Sequence, residues 1–158
     1  MKSILLFIAL VAFIPTLMAK SDDSMNGMKH NNFHNNFKLF LRALTPCPRI
    51  TFPCSRIPDV CKNMRNAISK GKPTTLNRIT DPKKIAQNRR RSGCPKLPKV
   101  SGKNCDEYPF ASSRQGGAGA VIMNVPKREN SIQGGLLRGF YVKQKIGNGD
   151  CYKVALGP

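Results

Sequence analysis

The sequence predicts a small mixed α+β domain stapled by disulfides, and three observations carry that expectation. Six cysteines (Cys47, Cys54, Cys61, Cys94, Cys105 and Cys151) all follow an N-terminal apolar run, and an even cysteine count in an exported chain reads as up to three disulfides. Stretches with the two-residue period of a strand lie among stretches with the period of a helix. The chain has 158 residues, so beyond the apolar leader there is length for one domain with a modest core.

In order, Met1-Lys2 and the apolar run Ile4 to Met18 have the shape of a signal peptide over residues 1–19, with cleavage expected after Ala19. Pro15 interrupts the run, which is shorter than the roughly 20 residues a membrane span needs, and no later segment is apolar enough, so no membrane anchor is expected. Residues 20–47 read as an Asn-rich linker or propeptide-like segment, with one or two amphipathic turns between Phe37 and Leu44. His30 and His34 sit there at helical spacing and are taken as bystanders. A domain is expected over 48–158.

Within it, Arg49 to Phe52 reads as a strand stopped by Pro53. Pro58-Asp59 opens a helix in which Val60, Met64, Ala67 and Ile68 recur at helical spacing until Gly71. Asp81-Pro82 opens a second, basic helix through Ile85 and Ala86 to Arg89-Arg90-Arg91, before Gly93. A Pro/Lys-rich loop reaches Cys105, and Ala120 to Val125 is a strand with Val121, Met123 and Val125 on one face, ended by Pro126. Glu129-Asn130-Ser131 is expected to cap a helix carrying Ile132, Leu136, Leu137 and Phe140; its glycines 134, 135 and 139 suggest a close approach to a strand or ligand. Asn148-Gly149-Asp150 is a turn before a final strand, Cys151 to Leu156.

All six cysteines are expected to be paired. Of the 15 pairings, only Cys94 with Cys105 is singled out, because both flank one short loop. A zinc site is disfavoured: there is no Cys-x-x-Cys pair and no histidine follows the cysteines.

The formal charge is +19, from 27 Lys and Arg against eight Asp and Glu. Between Lys62 and Lys103 there are 13 basic residues and one acid, Asp81, a density that binds phosphates by counterion release and without sequence preference. A solvated basic face would look the same. A cationic protein directed at anionic membranes would need a long amphipathic helix, which the proline-broken belt does not offer.

Against this background each acid is informative. Asp106-Glu107 is the domain's one pair of adjacent carboxylates, able to hold a divalent cation or take a proton from water, and Glu129-Asn130 is a second oxygen-rich spot. An equally weighted alternative makes Glu129-Asn130 a helix cap and Asp106 and Glu107 partners of nearby arginines. A cysteine nucleophile has no histidine in the domain to activate it. Gly116-Gly117-Ala118-Gly119 lacks the Gly-Lys-Ser/Thr of a phosphate loop and reads as a turn.

The run Cys105-Asp106-Glu107-Tyr108-Pro109-Phe110-Ala111-Ser112-Ser113, followed by Gly116-Gly117, Glu129-Asn130 and Gly134, resembles the core of the NucA/NucB deoxyribonucleases. Upstream, Ile50-Thr51-Phe52-Pro53, Arg56-Ile57-Pro58, Ala67 to Pro73, Leu76 and Asn88-Arg89 fall in the family's order, so the resemblance covers residues 48–158. It implies a small ββα-metal nuclease domain that grips one divalent ion, with an acid where related nucleases use a histidine. Carried over, Asp106 is the general base, Glu107 its catalytic or metal-orienting neighbour, and Arg89 the group that holds the phosphate. Asn130 is the metal ligand, with Asp106 and Glu129 beside it. Adjacent residues on a regular strand point to opposite faces, so both acids reach a metal only where the chain bends. Two features depart from the pattern: Gln115 replaces an acid that many relatives carry before the glycine pair, and the disulfides are more numerous.

The resemblance thus implies a secreted, monomeric, extracellular endonuclease that uses Mg²⁺ or Mn²⁺ on DNA, with RNA as a further substrate. A catalytically idle cationic nucleic-acid-binding protein on the same fold is the alternative, and a membrane-active defence protein a third.

Overall fold

The structure is a computed structural model that describes residues 46–158. The expected signal peptide and all but the end of the expected Asn-rich segment lie outside the described residues, with His30 and His34. Cys47–Pro158 forms one unit.

Alternation at Arg49–Pro53 turns Ile50 and Phe52 inward and makes strand β1. Pro58 then starts helix α1, Pro58–Ser69, whose inner face carries Val60, Met64 and Ala67, all fully buried. Thr75–Asn77 is a short strand, β2, and Pro82–Arg91 is helix α2, capped by Asp81, whose carboxylate accepts from the Lys83 and Lys84 N–H groups. A single 3₁₀ turn at Cys94–Lys96 leads toward strand β3, Lys103–Tyr108. Strand β4, Val121–Pro126, runs directly into helix α3, Lys127–Lys143, and strand β5, Cys151–Gly157, follows.

The strands form two sheets. β5 is the middle strand of the first, parallel to β1 (Ile50 opposite Val154) and antiparallel to β2 (Leu76 opposite Tyr152). The second is the antiparallel hairpin β3–β4, in which Asp106 lies opposite Met123 and Glu107 opposite Ile122. With α3 following, it forms a β-β-α unit. Helix α1 packs against both hairpin strands and against α3. The core between them includes Phe52, Ile57, Tyr108, Val125 and Tyr152. Phe110 links its two ends, 5.9 Å from the Phe52 ring and 5.1 Å from Tyr108.

The α+β class and the disulfide staples stand as expected. Cys94 is bonded to Cys105; the pairings left open are Cys47–Cys151 and Cys54–Cys61, and no cysteine is free. Three local expectations are corrected. The strand at β2 was not foreseen, because three residues display no period and the strand exists through its pairing with β5. Helix α3 begins at Lys127, not after a cap at Glu129 to Ser131, and no side chain caps it. Its glycines mark no close approach to a strand: a Cβ at Gly134, Gly135 or Gly139 would meet nothing within 4 Å, although Gly134 lines the cleft described below.

The disulfides differ in the loops they close. Cys47–Cys151 spans 104 residues and sews the start of the unit to the central strand, whereas Cys54–Cys61 spans seven. Loop-closure entropy puts the first at about 4–5 kcal/mol and the second at about 2 kcal/mol. Paired Cys→Ala replacement at 47 and 151 should therefore lower stability in urea titrations about twice as much as replacement at 54 and 61. Equal losses would show that the long bridge is not what restrains the unfolded chain.

Candidate active site

The β-β-α unit and α2 enclose a cleft of about 380 Å³ lined by Arg89, Asp106, Glu107, Asn130, Gln133 and the Cys94–Cys105 bridge, among others. The apolar side of α1 presents one polar residue inward. Asn63, fully buried between Val60 and Met64, donates from Nδ2 to Asp106 Oδ2 at 2.8 Å, and to the Asp106 and Val121 carbonyls at 3.3 and 3.4 Å. One amide thus ties α1 to both strands of the hairpin and fixes the Asp106 carboxyl.

Asp106 is only 3 % exposed. Burial pushes its pKa up to about 6, opposed by the Asn63 donor, by Gln133 and by the Glu107 backbone N–H. Gln133 lies close enough to favour the carboxylate through its amide dipole, although its buried Nε2 makes no hydrogen bond of proper geometry. Glu107 is pushed up to about 7, first by burial and then by the Asp106 charge, and is drawn down by Arg89 and the Ala111 backbone N–H. Both carboxyl groups therefore titrate near neutrality, where a group can take a proton and release it again. Although the hairpin register is regular through both residues, both line the cleft, Asp106 from the buried side and Glu107 from the half-buried one.

Arg89 is brought to this cleft by its neighbour. Asn88 donates to the Ala111 and Ser113 carbonyls at 3.0 and 3.1 Å and so clamps α2 onto the loop after β3. Gly116 and Gly117 make room for that clamp: a Cβ on Gly116 would sit 2.2 Å from the Phe110 carbonyl oxygen, and one on Gly117, at φ +97°, 2.8 Å from Asn88 Oδ1. The exposed Arg89 side chain stands beside Glu107.

The structure thus gathers Asp106, Glu107, Arg89 and Asn130 into one cleft and leaves Glu129 out of it. One Glu129 carboxylate oxygen accepts from the Asp59 and Val60 N–H groups at 2.8 and 3.2 Å, capping α1 from the first turn of α3. Gln115 also lies outside the cleft lining: its Nε2 donates to Asn77 Oδ1 at 2.8 Å and its Oε1 accepts from the Asn77 backbone N–H at 3.0 Å. Sequence reasoning missed Asn63 and Gln133. The signal for Asn63 was present, as a polar residue in the apolar stripe of an amphipathic helix; for Gln133 there was none.

Among the described residues no three His, Cys, Asp or Glu side chains come together as a metal cage. The cleft nonetheless offers the carboxylates of Glu107 and Asp106 and the amide of Asn130, an oxygen donor set that suits a hard divalent cation retaining several of its waters.

The site is thus a cleft in a disulfide-stapled α+β domain, lined by two carboxyl groups and an arginine. The family model described as deoxyribonuclease NucA/NucB matches residues 61–155, and the chain belongs to that family. It is similar to a curated protein described as a DNA-entry nuclease from Bacillus subtilis (strain 168), 28 % identical over 81 residues. Those residues are 51 % of this chain and 53 % of that protein, so the chain spans about half the length of the curated relative it matches.

Two outcomes follow from the geometry. The folded protein keeps protons on Asp106 and Glu107 that the unfolded chain releases near their ordinary values of 3.8 and 4.5, so stability is full below about pH 4 and falls as pH rises through 6 to 7. In EDTA the melting temperature should drop between pH 4 and 7, Asp106 contributing about 2–3 kcal/mol, and Asp106→Asn should flatten the profile. A profile that rises over this range, or one unchanged by the substitution, would contradict the burial of a titrating Asp106. Glu129→Ala should cost about 1–2 kcal/mol through the lost cap on α1, read by thermal melting; an unaltered melting temperature would remove that role.

Proposed function

We propose that this protein is a secreted, metal-dependent endonuclease that hydrolyses DNA phosphodiester bonds with little regard for sequence. The observation that carries the reading is the convergence of Asp106, Glu107, Arg89 and Asn130 on one cleft in a chain of net charge +19. The proposed division is a signal peptide over 1–19, an Asn-rich segment over 20–47 and the nuclease domain over 48–158. Three disulfides with no free thiol suit an oxidising compartment, and no helix among the described residues is long and apolar enough to cross a membrane.

In this reading the buried Asp106 carboxylate, oriented by Asn63, takes the proton of the attacking water. Arg89, on the exposed rim, contacts the non-bridging oxygens of the scissile phosphate and offsets the negative charge that develops there. Glu107 and Asn130 would hold the divalent ion, Mg²⁺ or Mn²⁺. When bound, such an ion supplies Lewis-acid stabilisation of the phosphate and lowers the pKa of water. Glu129 and Gln115 carry no chemical role: the first supports α1 and the second joins the 115 loop to β2. The enzyme acts as a monomer, its basic surface holding the strand through phosphates alone.

The decisive experiment is cleavage of supercoiled plasmid by the purified, oxidised protein with Mg²⁺ or Mn²⁺. Cutting should cease in EDTA, fall by about 10²–10⁴ in Asp106→Ala, and fall by roughly 10² in Arg89→Ala. Salt-sensitive binding without cutting, in every metal tried, would make the protein a cationic nucleic-acid-binding member of the fold instead.

A further inference from the structure

A second depression of about 390 Å³ lies against the active cleft and plays no part in the chemistry described above. It is lined by Lys99, Lys103 and Lys127, with Asn104 and Asn124, and among the described residues no acid contributes to it. The two depressions share Cys94 and Cys105, so they meet at the disulfide itself. Its cations come from the loop that the disulfide closes, which carries Lys99 and, at the start of β3, Lys103, and from the first residue of α3, Lys127. The N-terminal end of α3 adds the positive pole of a 17-residue helix. Hydrogen bonds hold these elements in register: the Lys127 backbone N–H donates to the Gly102 carbonyl at 3.0 Å, and the Asn124 side-chain Nδ2 to the Pro98 carbonyl at 2.9 Å.

We infer that this lysine groove is a phosphate-binding subsite for the substrate DNA strand as it leaves the active cleft across the Cys94–Cys105 bridge. The inference rests on the nuclease reading and deepens it by giving the strand a direction. Three lysines lining one depression, with no carboxylate in the lining among the described residues, suit a row of phosphate charges better than any neutral ligand. The bridge matters because it closes the 11-residue loop on which Lys96, Lys99 and Lys103 lie and holds that loop beside the reacting centre. Binding by this groove is sequence-independent, since the lining offers charge and amide donors to the backbone.

The test is the salt dependence of binding to a short fluorescent DNA duplex, measured in EDTA with the full oxidised protein. Replacing Lys99, Lys103 and Lys127 together by Gln should reduce the slope of log K against log[salt] by about 2–3. A control of equal charge loss replaces Lys143, Lys145 and Lys153, all exposed. Lys143 lies 16 residues along α3 from Lys127, about 24 Å at helical rise, and this variant should change the slope by well under one unit. The pair Cys94→Ser/Cys105→Ser should reproduce the loss by freeing the loop. Equal slopes for the two lysine triples, or an unaltered slope in the groove triple, would overturn the subsite. Plasmid cutting separates the two readings: a wild-type protein that cuts while the triples match keeps the nuclease and loses the groove. One that never cuts while the triples differ keeps the groove as a DNA-binding site and loses the nuclease.

Discussion

Helix α1 cannot dock on the hairpin without taking a carboxyl group out of water, and the arrangement of the domain follows from how that group is accommodated. A buried, unpaired carboxylate would be prohibitive. Here the Asn63 amide meets Asp106 Oδ2 at 2.8 Å and reaches the carbonyls of both strands, while burial leaves the acid able to stay protonated up to about pH 6. The same contact therefore locks α1 to β3 and β4 and gives the cleft an acid poised to exchange protons. Glu129 supports it from the other side, its carboxylate holding the first turn of α1 against the start of α3. Helix, hairpin and helix are joined by polar contacts that a wholly apolar core would lack, and these contacts converge near the cleft.

A second set of polar contacts builds the opposite wall. Asn88 grips the loop after β3, the glycine pair at 116 and 117 admits that grip, and Gln115 and Asn77 join the same loop to β2. Tyr141 extends the pattern: its hydroxyl meets Ser112 at 3.2 Å and Tyr152 at 2.9 Å, and the Arg78 guanidinium lies 4.3 Å from its ring centroid. Loop 110–117 is thus held by α2, β2 and α3 together, which places Arg89 of α2 beside Glu107.

Much of this was legible in the residues. Pro58-Asp59 and Asp81-Pro82 mark helix starts because proline fixes the backbone of a first turn, and α1 and α2 begin there; Asp81 accepts the free N–H groups of α2, whereas Glu129 accepts those of α1. The alternation of Val121, Met123 and Val125 gave β4, and the loop between Cys94 and Cys105 gave their bridge. What could not be read was tertiary. Three residues such as Thr75-Leu76-Asn77 become a strand only when β5 supplies the partner. Whether Glu129 turns to a metal or to a neighbouring helix depends on where α1 lies, and only the assembled packing shows it turning to the helix. The paired acids Asp106-Glu107 stood out by scarcity; Asn63, which orients one of them, was hidden among the many asparagines of the chain.

The strand order β1-β5-β2 also orders events in time. Both outer strands of the first sheet precede β5 in the sequence, and neither hydrogen-bonds to the other. A chain emerging from the ribosome carries β1 and β2 as unpaired edges until residues 151–157 arrive, and Cys47 waits the same interval for Cys151. Assembly of that sheet is a late, all-or-none event tied to completion of this segment.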